Sequence, residues 1–170
     1  MNLKAFIRDI PDFPFKGVVF RDITPLLKDP VAIRYTENAL LQLLGNAKID
    51  KVVGMESRGF FFAPMLAAKL NAGFVPVRKP GKLPYDTLRQ DYNLEYGSDA
   101  LEMHADAIVK GDRVLVHDDV LATGGTANAT CMLIEKMGGK IVQCNFLLEL
   151  DFLNGKEKLL NYEVKSLLHY

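Results

Sequence analysis

The stretch Val114–Ala127, VLVHDDVLATGGTA, sets an apolar run, two adjacent carboxylates and a turn of small residues in immediate succession. Neighbouring Asp side chains repel each other unless something cationic or hydroxyl-bearing lies beside them, so Asp118 and Asp119 point to a ligand. Arg113 to His117 reads as a buried strand with the acidic pair at its carboxyl end, the end at which open parallel sheets take ligands. Beyond it, Ala122, Thr123, Gly124, Gly125 and Thr126 offer converging backbone N–H groups. A helix expected over 125–137 adds its positive end, worth ~0.3 to 1 kcal/mol toward an anion. The combination suits a sugar phosphate: N–H groups for the phosphate, Asp oxygens for the hydroxyls. The plain alternative is an Asp pair in a turn followed by an ordinary strand-to-helix loop. Neither G-x-x-x-x-G-K-S/T nor G-x-G-x-x-G occurs, so P-loop kinases and dinucleotide-binding dehydrogenases are poor candidates.

Outward from this stretch, strands and helices alternate. Asp29 and Pro30 offer an N-cap and a proline at the first helical position, and Ile33, Leu40, Leu41, Leu43 and Leu44 follow at helical spacing up to Gly45. Lys51–Met55 and Gly73–Val77 read as short buried strands, Gly59 to Leu70 as a helix, and Ile141 to Leu150 as another strand. The order predicts an α/β fold, a mostly parallel central sheet flanked by helices. At 170 residues one domain is expected. Between Arg78 and Lys110 polar and apolar residues interleave, which suggests a mobile hairpin, and excursions of that length are usually functional. Arg78, Lys79 and Lys82 surround Pro80 and Gly81 and form either a solvated face or, beside a strand end, an anion clamp.

Composition excludes several classes. The 21 Lys and Arg balance the 21 Asp and Glu, which leaves no global field for nucleic acid or an anionic membrane. Cys131 and Cys144 lie in apolar segments at neither a metal-ligand nor a disulfide-framework spacing, and read as buried thiols. The longest apolar run, FFFAPMLAA, is too short to span a bilayer, and the amino terminus has no apolar leader region, so a cytoplasmic protein is expected.

The string VLVHDDVLATGGTA resembles the 5-phosphoribosyl 1-diphosphate motif of the type I phosphoribosyltransferases. FPFKGVVFRDITPLL, GMESRGFFFAP, VPVRKPGKLP, NLEYGSDALEMH and the terminal SLLHY extend the likeness to the adenine-specific family over essentially the whole chain. The resemblance implies that fold, with a small N-terminal hood over about 1–28 and a flexible loop over about 85–104. It implies transfer of the phosphoribosyl group from 5-phosphoribosyl 1-diphosphate to adenine, giving AMP and diphosphate. Asp118, Asp119 and residues 122–126 would hold the ribose 5-phosphate. Ser57, Arg58, Arg78, Lys79 and Lys82 would hold the diphosphate, with Arg58 also assisting the reaction. Val19, Phe20 and Arg21 would hold adenine, with Phe20 stacking on it. Glu95 matches the family's proton-handling residue, with Tyr96 beside it; from pattern alone Glu95 is equally a solvated hairpin residue. Mg²⁺ is expected on substrate oxygens and water, with no direct protein ligand. A homodimer is expected.

The sequence departs from the family at three places. His117 stands where an aliphatic residue is usual and reads as a packing or interface histidine, turned away from Asp118 by strand alternation. Phe15-Lys16 precedes Gly17 in the hood, where Lys-Pro or a similar pair is common. Ser57 replaces a frequent alanine. Phe60, Phe61 and Phe62 read as core or dimer-interface residues. Two rivals carry less: a regulatory relative that binds nucleic acid would need a basic footprint, and a receiver domain would carry its acid pair near the first strand.

Overall fold

A computed structural model describes residues 1–93 and 98–170. The chain forms two compact units, Met1–Ala39 and Leu40–Tyr170.

In the first unit β1 (Arg8–Pro11) and β2 (Val19–Asp22) pair antiparallel, Arg8 opposite Asp22 and Pro11 opposite Val19. Opposite charges face each other across the ladder, Arg21 on Asp9 and Arg8 on Asp22 at 3.8 Å. Among the described residues this sheet has two strands. A short helix, α1 (Thr24–Leu27), follows, with Ile23 and Leu26 buried. Helix α2 (Pro30–Leu44) starts as its sequence dictates: Asp29 Oδ1 accepts the N–H groups of Val31 and Ala32 at 2.9 and 2.8 Å, and Pro30 occupies a position that needs no donor.

The second unit is built on a five-stranded parallel sheet in the order β4-β3-β7-β8-β9. Its strands are β3 (Lys51–Met55), β4 (Gly73–Val77), β7 (Arg113–Leu121), β8 (Lys140–Glu149) and β9 (Val164–His169). Val52, Val53, Val114, Leu115 and Val116 are buried in consecutive positions, as strands covered on both faces must be. Helices α3 (Ala63–Leu70) and α4 (Gly125–Lys136) connect strands of this sheet. Between β4 and β7, β5 (Thr87–Asn93) and β6 (Ser98–His104) form an antiparallel hairpin, Thr87 opposite His104. Leu101 and Met103 of β6 sit in the main core, and Lys136 at the end of α4 donates to Gln90 at 2.6 Å. The excursion is therefore packed on the unit along its described length.

Two boundaries differ from expectation with chemical consequence. Strand β7 does not stop at His117: Asp118 pairs opposite Phe146 and Leu121 opposite Glu149, because the long apolar β8 continues to offer a ladder. The acidic pair thus lies inside a strand, held by sheet hydrogen bonds. The helix expected from Gly59 begins at Ala63, after a 3-10 turn over Arg58–Phe61 and with Pro64 in its first turn. Ser57, Arg58 and Gly59 therefore lead into a 3-10 turn rather than lying at the start of an α-helix. Strands β1 and β9 and helix α1 were not expected from periodicity.

Candidate active site

Three segments meet at the carboxyl ends of neighbouring strands: residues 56–59 after β3, 78–82 after β4, and 118–126 in and after β7. Glu56 N–H donates to the Val77 carbonyl at 2.9 Å, which holds the first two side by side. Gly59 sets the approach of the first to β7. A Cβ there would lie 2.9 Å from Asp118 Oδ1 and 3.1 Å from the His117 carbonyl oxygen, so only glycine lets the loop lie against the acidic pair.

A cavity of about 80 Å³ opens over β7 and the start of α4, lined by Asp118, Val120 to Ala127 and Phe146. Ala122, Thr123, Gly124, Gly125 and Thr126 all lie in its wall. Gly124 is the N-cap of α4 at φ +75°, and no side chain caps the helix. The first N–H groups of α4 therefore have no side-chain acceptor, and they line a polar hollow. Gly124 is demanded twice, by its left-handed backbone and by Gly155, whose carbonyl oxygen would collide with any Cβ at 124. Gly155 in turn has no room for a Cβ against the Ala122 carbonyl. Sequence reasoning missed Gly155, which lies thirty residues downstream of the loop it shapes.

Asp119 is buried and Asp118 partly accessible. Asp118 Oδ1 accepts the Asp119 N–H at 2.8 Å, and Arg58 Nε lies 2.6 Å from Asp119 Oδ2, an ionic contact off the line of a good hydrogen bond. Burial pushes Asp118 well above the usual carboxylate range, and the charge of Asp119 adds to it. Burial also raises Asp119, against the opposing pull of Arg58. Two carboxylates with one nearby guanidinium form a site short of positive charge and rich in acceptors.

The cations of the basic cluster are each paired with a carboxylate. Glu56 Oε2 accepts from Arg78 Nε and from the Lys79 backbone N–H, each at 3.1 Å, while Oε1 meets the Lys82 ammonium. Burial opposes ionisation of Glu56, but Lys82, the Lys79 N–H and Arg78 together hold it below its ordinary value. Lys79 Nζ contacts Asp99 of β6 and the Tyr92 hydroxyl of β5, the latter at 3.1 Å. Tyr92 OH also donates to Asp99 at 3.2 Å and lies 3.5 Å from Thr126 Oγ1, which joins the hairpin to the α4 loop. Ser57 is exposed.

His117 is fully buried, its Nδ1 2.7 Å from Asn145 Oδ1 and its ring edge-on to Phe62. Burial brings it down to about 4, so it is neutral at physiological pH. Val19, Phe20 and Arg21 lie on β2, Val19 exposed and Phe20 packed edge-on to Phe13. Of the three phenylalanines, Phe62 is buried, Phe60 packs edge-on to Phe74, and Phe61 is exposed. Glu95 and Tyr96 lie outside the described residues. Glu149, Asp151 and His169 gather elsewhere on the unit within 4.8 Å, but Lys156 Nζ sits 2.7 Å from Glu149 and already supplies a cation there.

Residues 26–167 match the phosphoribosyl transferase domain family. The adenine phosphoribosyltransferase of Christiangramia forsetii is 66% identical over 170 residues, covering 100% of this chain and 99% of that one. This chain belongs to the adenine phosphoribosyltransferases. The crystal structure of the family member from Thermoanaerobacter pseudethanolicus superposes with a TM-score of 0.97 at 50% identity, covering 99% of this chain and 98% of that one. The Saccharomyces cerevisiae adenine phosphoribosyltransferase, solved with an imino-altritol bisphosphate and adenine, gives 0.92 at 43% identity, over 98% of this chain and 96% of that one. Among the described residues no helix is long and apolar enough to cross a membrane.

Proposed function

We propose that this chain acts in purine salvage, transferring the 5-phosphoribosyl group from 5-phosphoribosyl 1-diphosphate to adenine with release of diphosphate and AMP. The observation that carries the reading is the uncapped start of α4 facing a cavity beside a buried acid pair. The sugar 5-phosphate is taken by backbone N–H groups of 122–126, with the Thr123 and Thr126 hydroxyls assisting. Asp118 and Asp119 accept the ribose hydroxyls. Arg58, Ser57, Arg78, Lys79 and Lys82 receive the diphosphate. Arg58, already on Asp119, links that group to the ribose site and offsets charge developing on the leaving oxygen. Val19, Phe20 and Arg21 hold the base, with Phe20 stacking on it and backbone groups of 19 and 21 meeting the purine edge.

The site fits Mg²⁺ held by substrate: its oxygen-only acid pair is raised by burial and lacks full compensation. Such an ion would supply charge neutralisation on the diphosphate and ribose oxygens. Glu95 and Tyr96 act at the reacting centre as the loop of about 85–104 closes. With Leu101 and Met103 buried, closure leaves the base of the hairpin in place. The chain works as one catalytic domain with an N-terminal hood over about 1–28, as a homodimer in the cytoplasm. Exposed Phe61 supports the dimer, and the two free thiols support a reducing compartment.

Diphosphate release measured in parallel with adenine, hypoxanthine, guanine and xanthine tests the reading. Adenine should be used at least a hundredfold more efficiently than the rest, and comparable turnover of hypoxanthine would refute it. In the Glu95→Gln variant, turnover should fall while the sugar diphosphate binds nearly as before; wild-type turnover would remove Glu95 from the reaction.

A further inference from the structure

Two of the cations assigned to the diphosphate, Arg78 and Lys82, are already engaged by one internal carboxylate. Glu56 has a side chain only 10% exposed, and three donors converge on it: Arg78 Nε, the Lys79 backbone N–H and Lys82 Nζ. It splits its oxygens between two tasks. Oε2 binds the backbone and Arg78 at the start of the 78–82 turn, while Oε1 meets the end of Lys82, whose side chain is 46% exposed. The turn has other fastenings, since Arg78 Nη1 donates to the Lys82 carbonyl at 3.1 Å and Gly81 N–H to Glu102 at 2.9 Å. A carboxylate with two separated oxygens each taking cationic or N–H donors reproduces, on a smaller scale, the acceptor pattern of a phosphate.

We propose that Glu56 is a positioning residue that stands in for the diphosphate, holding Arg78 and Lys82 in readiness and surrendering Lys82 to the phosphate oxygens when the ligand binds. This rests on the clamp reading above. In the free enzyme the Glu56 carboxylate offsets part of the charge of Lys82 and Arg78 and so reduces their mutual repulsion. It also moderates diphosphate affinity, because the ion pair that Lys82 forms with the leaving group replaces the one it held with Glu56. A purely structural Glu56 has the opposite signature, since losing its charge would then loosen the turn and weaken binding.

The test is titration calorimetry of the full chain with inorganic diphosphate in magnesium-containing buffer, for wild type, Glu56→Gln, Lys82→Ala and the double variant. Gln keeps an acceptor for the Lys79 N–H and removes the competing charge. Glu56→Gln should bind diphosphate about three- to tenfold more tightly, and Lys82→Ala more weakly. In the Lys82→Ala background the gain from Glu56→Gln should shrink, because the two side chains are coupled. Unchanged or weaker binding in Glu56→Gln, with Lys82→Ala still weakened, overturns the role of Glu56 alone. Wild-type affinity in Lys82→Ala overturns the clamp itself. If Glu56→Gln does not fold unaided, recovery of the folded state with diphosphate supports the exchange, and failure with diphosphate present overturns it.

Discussion

The α4 loop and the 56–82 cluster both suit phosphate, yet they are built from opposite materials. The loop offers backbone N–H groups and no cationic side chain, and its shape depends on two glycines in contact, Gly124 and Gly155. The cluster offers three cations, each already on a carboxylate: Arg78 and Lys82 on Glu56, and Lys79 on Asp99. A rigid backbone cradle is organised before its ligand arrives, so binding there costs little rearrangement. A paired cluster must exchange partners, which suits a group that has to leave. The contrast matches a reaction in which the sugar phosphate stays while the diphosphate departs.

The cradle should break hardest. Gly155→Ala places a Cβ against the Ala122 carbonyl, and at least one backbone must move; a loss of about 2 kcal/mol or more is expected, read as a lower Tm together with lost ribose 5-phosphate binding. Gly124→Val acts in the same way, through collision with Gly155 and its positive φ, rather than by blocking the phosphate alone.

The acid pair should separate activity from stability. A carboxyl whose folded pKa is raised contributes stability below its unfolded pKa and loses it as pH rises through the folded value. Ionising the pair therefore costs stability, and Asp119→Asn should raise or preserve Tm while lowering kcat/KM by about 10² or more. A fall in Tm would show that Asp119 serves the fold.

His117 carries an effect confined to acid pH. Its folded pKa of about 4 lies below the unfolded 6.5, so it weakens the protein progressively as pH drops from 6.5 toward 4, by about 3 kcal/mol when complete. His117→Val should flatten that part of the stability-versus-pH curve, and an unchanged curve would place the acid sensitivity elsewhere. The smallest effect is expected at the seam between the two regions. Tyr92→Phe removes the hydroxyl shared by Lys79, Asp99 and Thr126, and should cost about 1 kcal/mol, seen in KM for the sugar diphosphate more than in kcat.

The cradle was legible because its chemistry is local: acid pair, small residues and helix start are contiguous, and the seven elements expected between α2 and β8 follow simple periodicity. The pairing of the cluster was not legible. Glu56 and Lys82 are twenty-six residues apart, and only the adjacency of β3 and β4 brings them together. Gly155 was hidden for the same reason. The extent of β7 escaped because polar Asp118 and Asp119 interrupt its apolar pattern, whereas its length is set by the partner strand β8. The helix start at 59 was misplaced because Arg58–Phe61 forms a 3-10 turn and the α-helix begins only with Ala63, where Pro64 suits its first turn.

Backbone amide NMR during titration with ribose 5-phosphate and, separately, with inorganic diphosphate tests the division of labour most directly. Ribose 5-phosphate should shift the amides of Thr123 to Ala127 and leave those of Lys79 and Lys82 in place, and diphosphate should do the reverse. Ribose 5-phosphate shifts centred on Lys79 and Lys82, with the α4 amides unmoved, would contradict it.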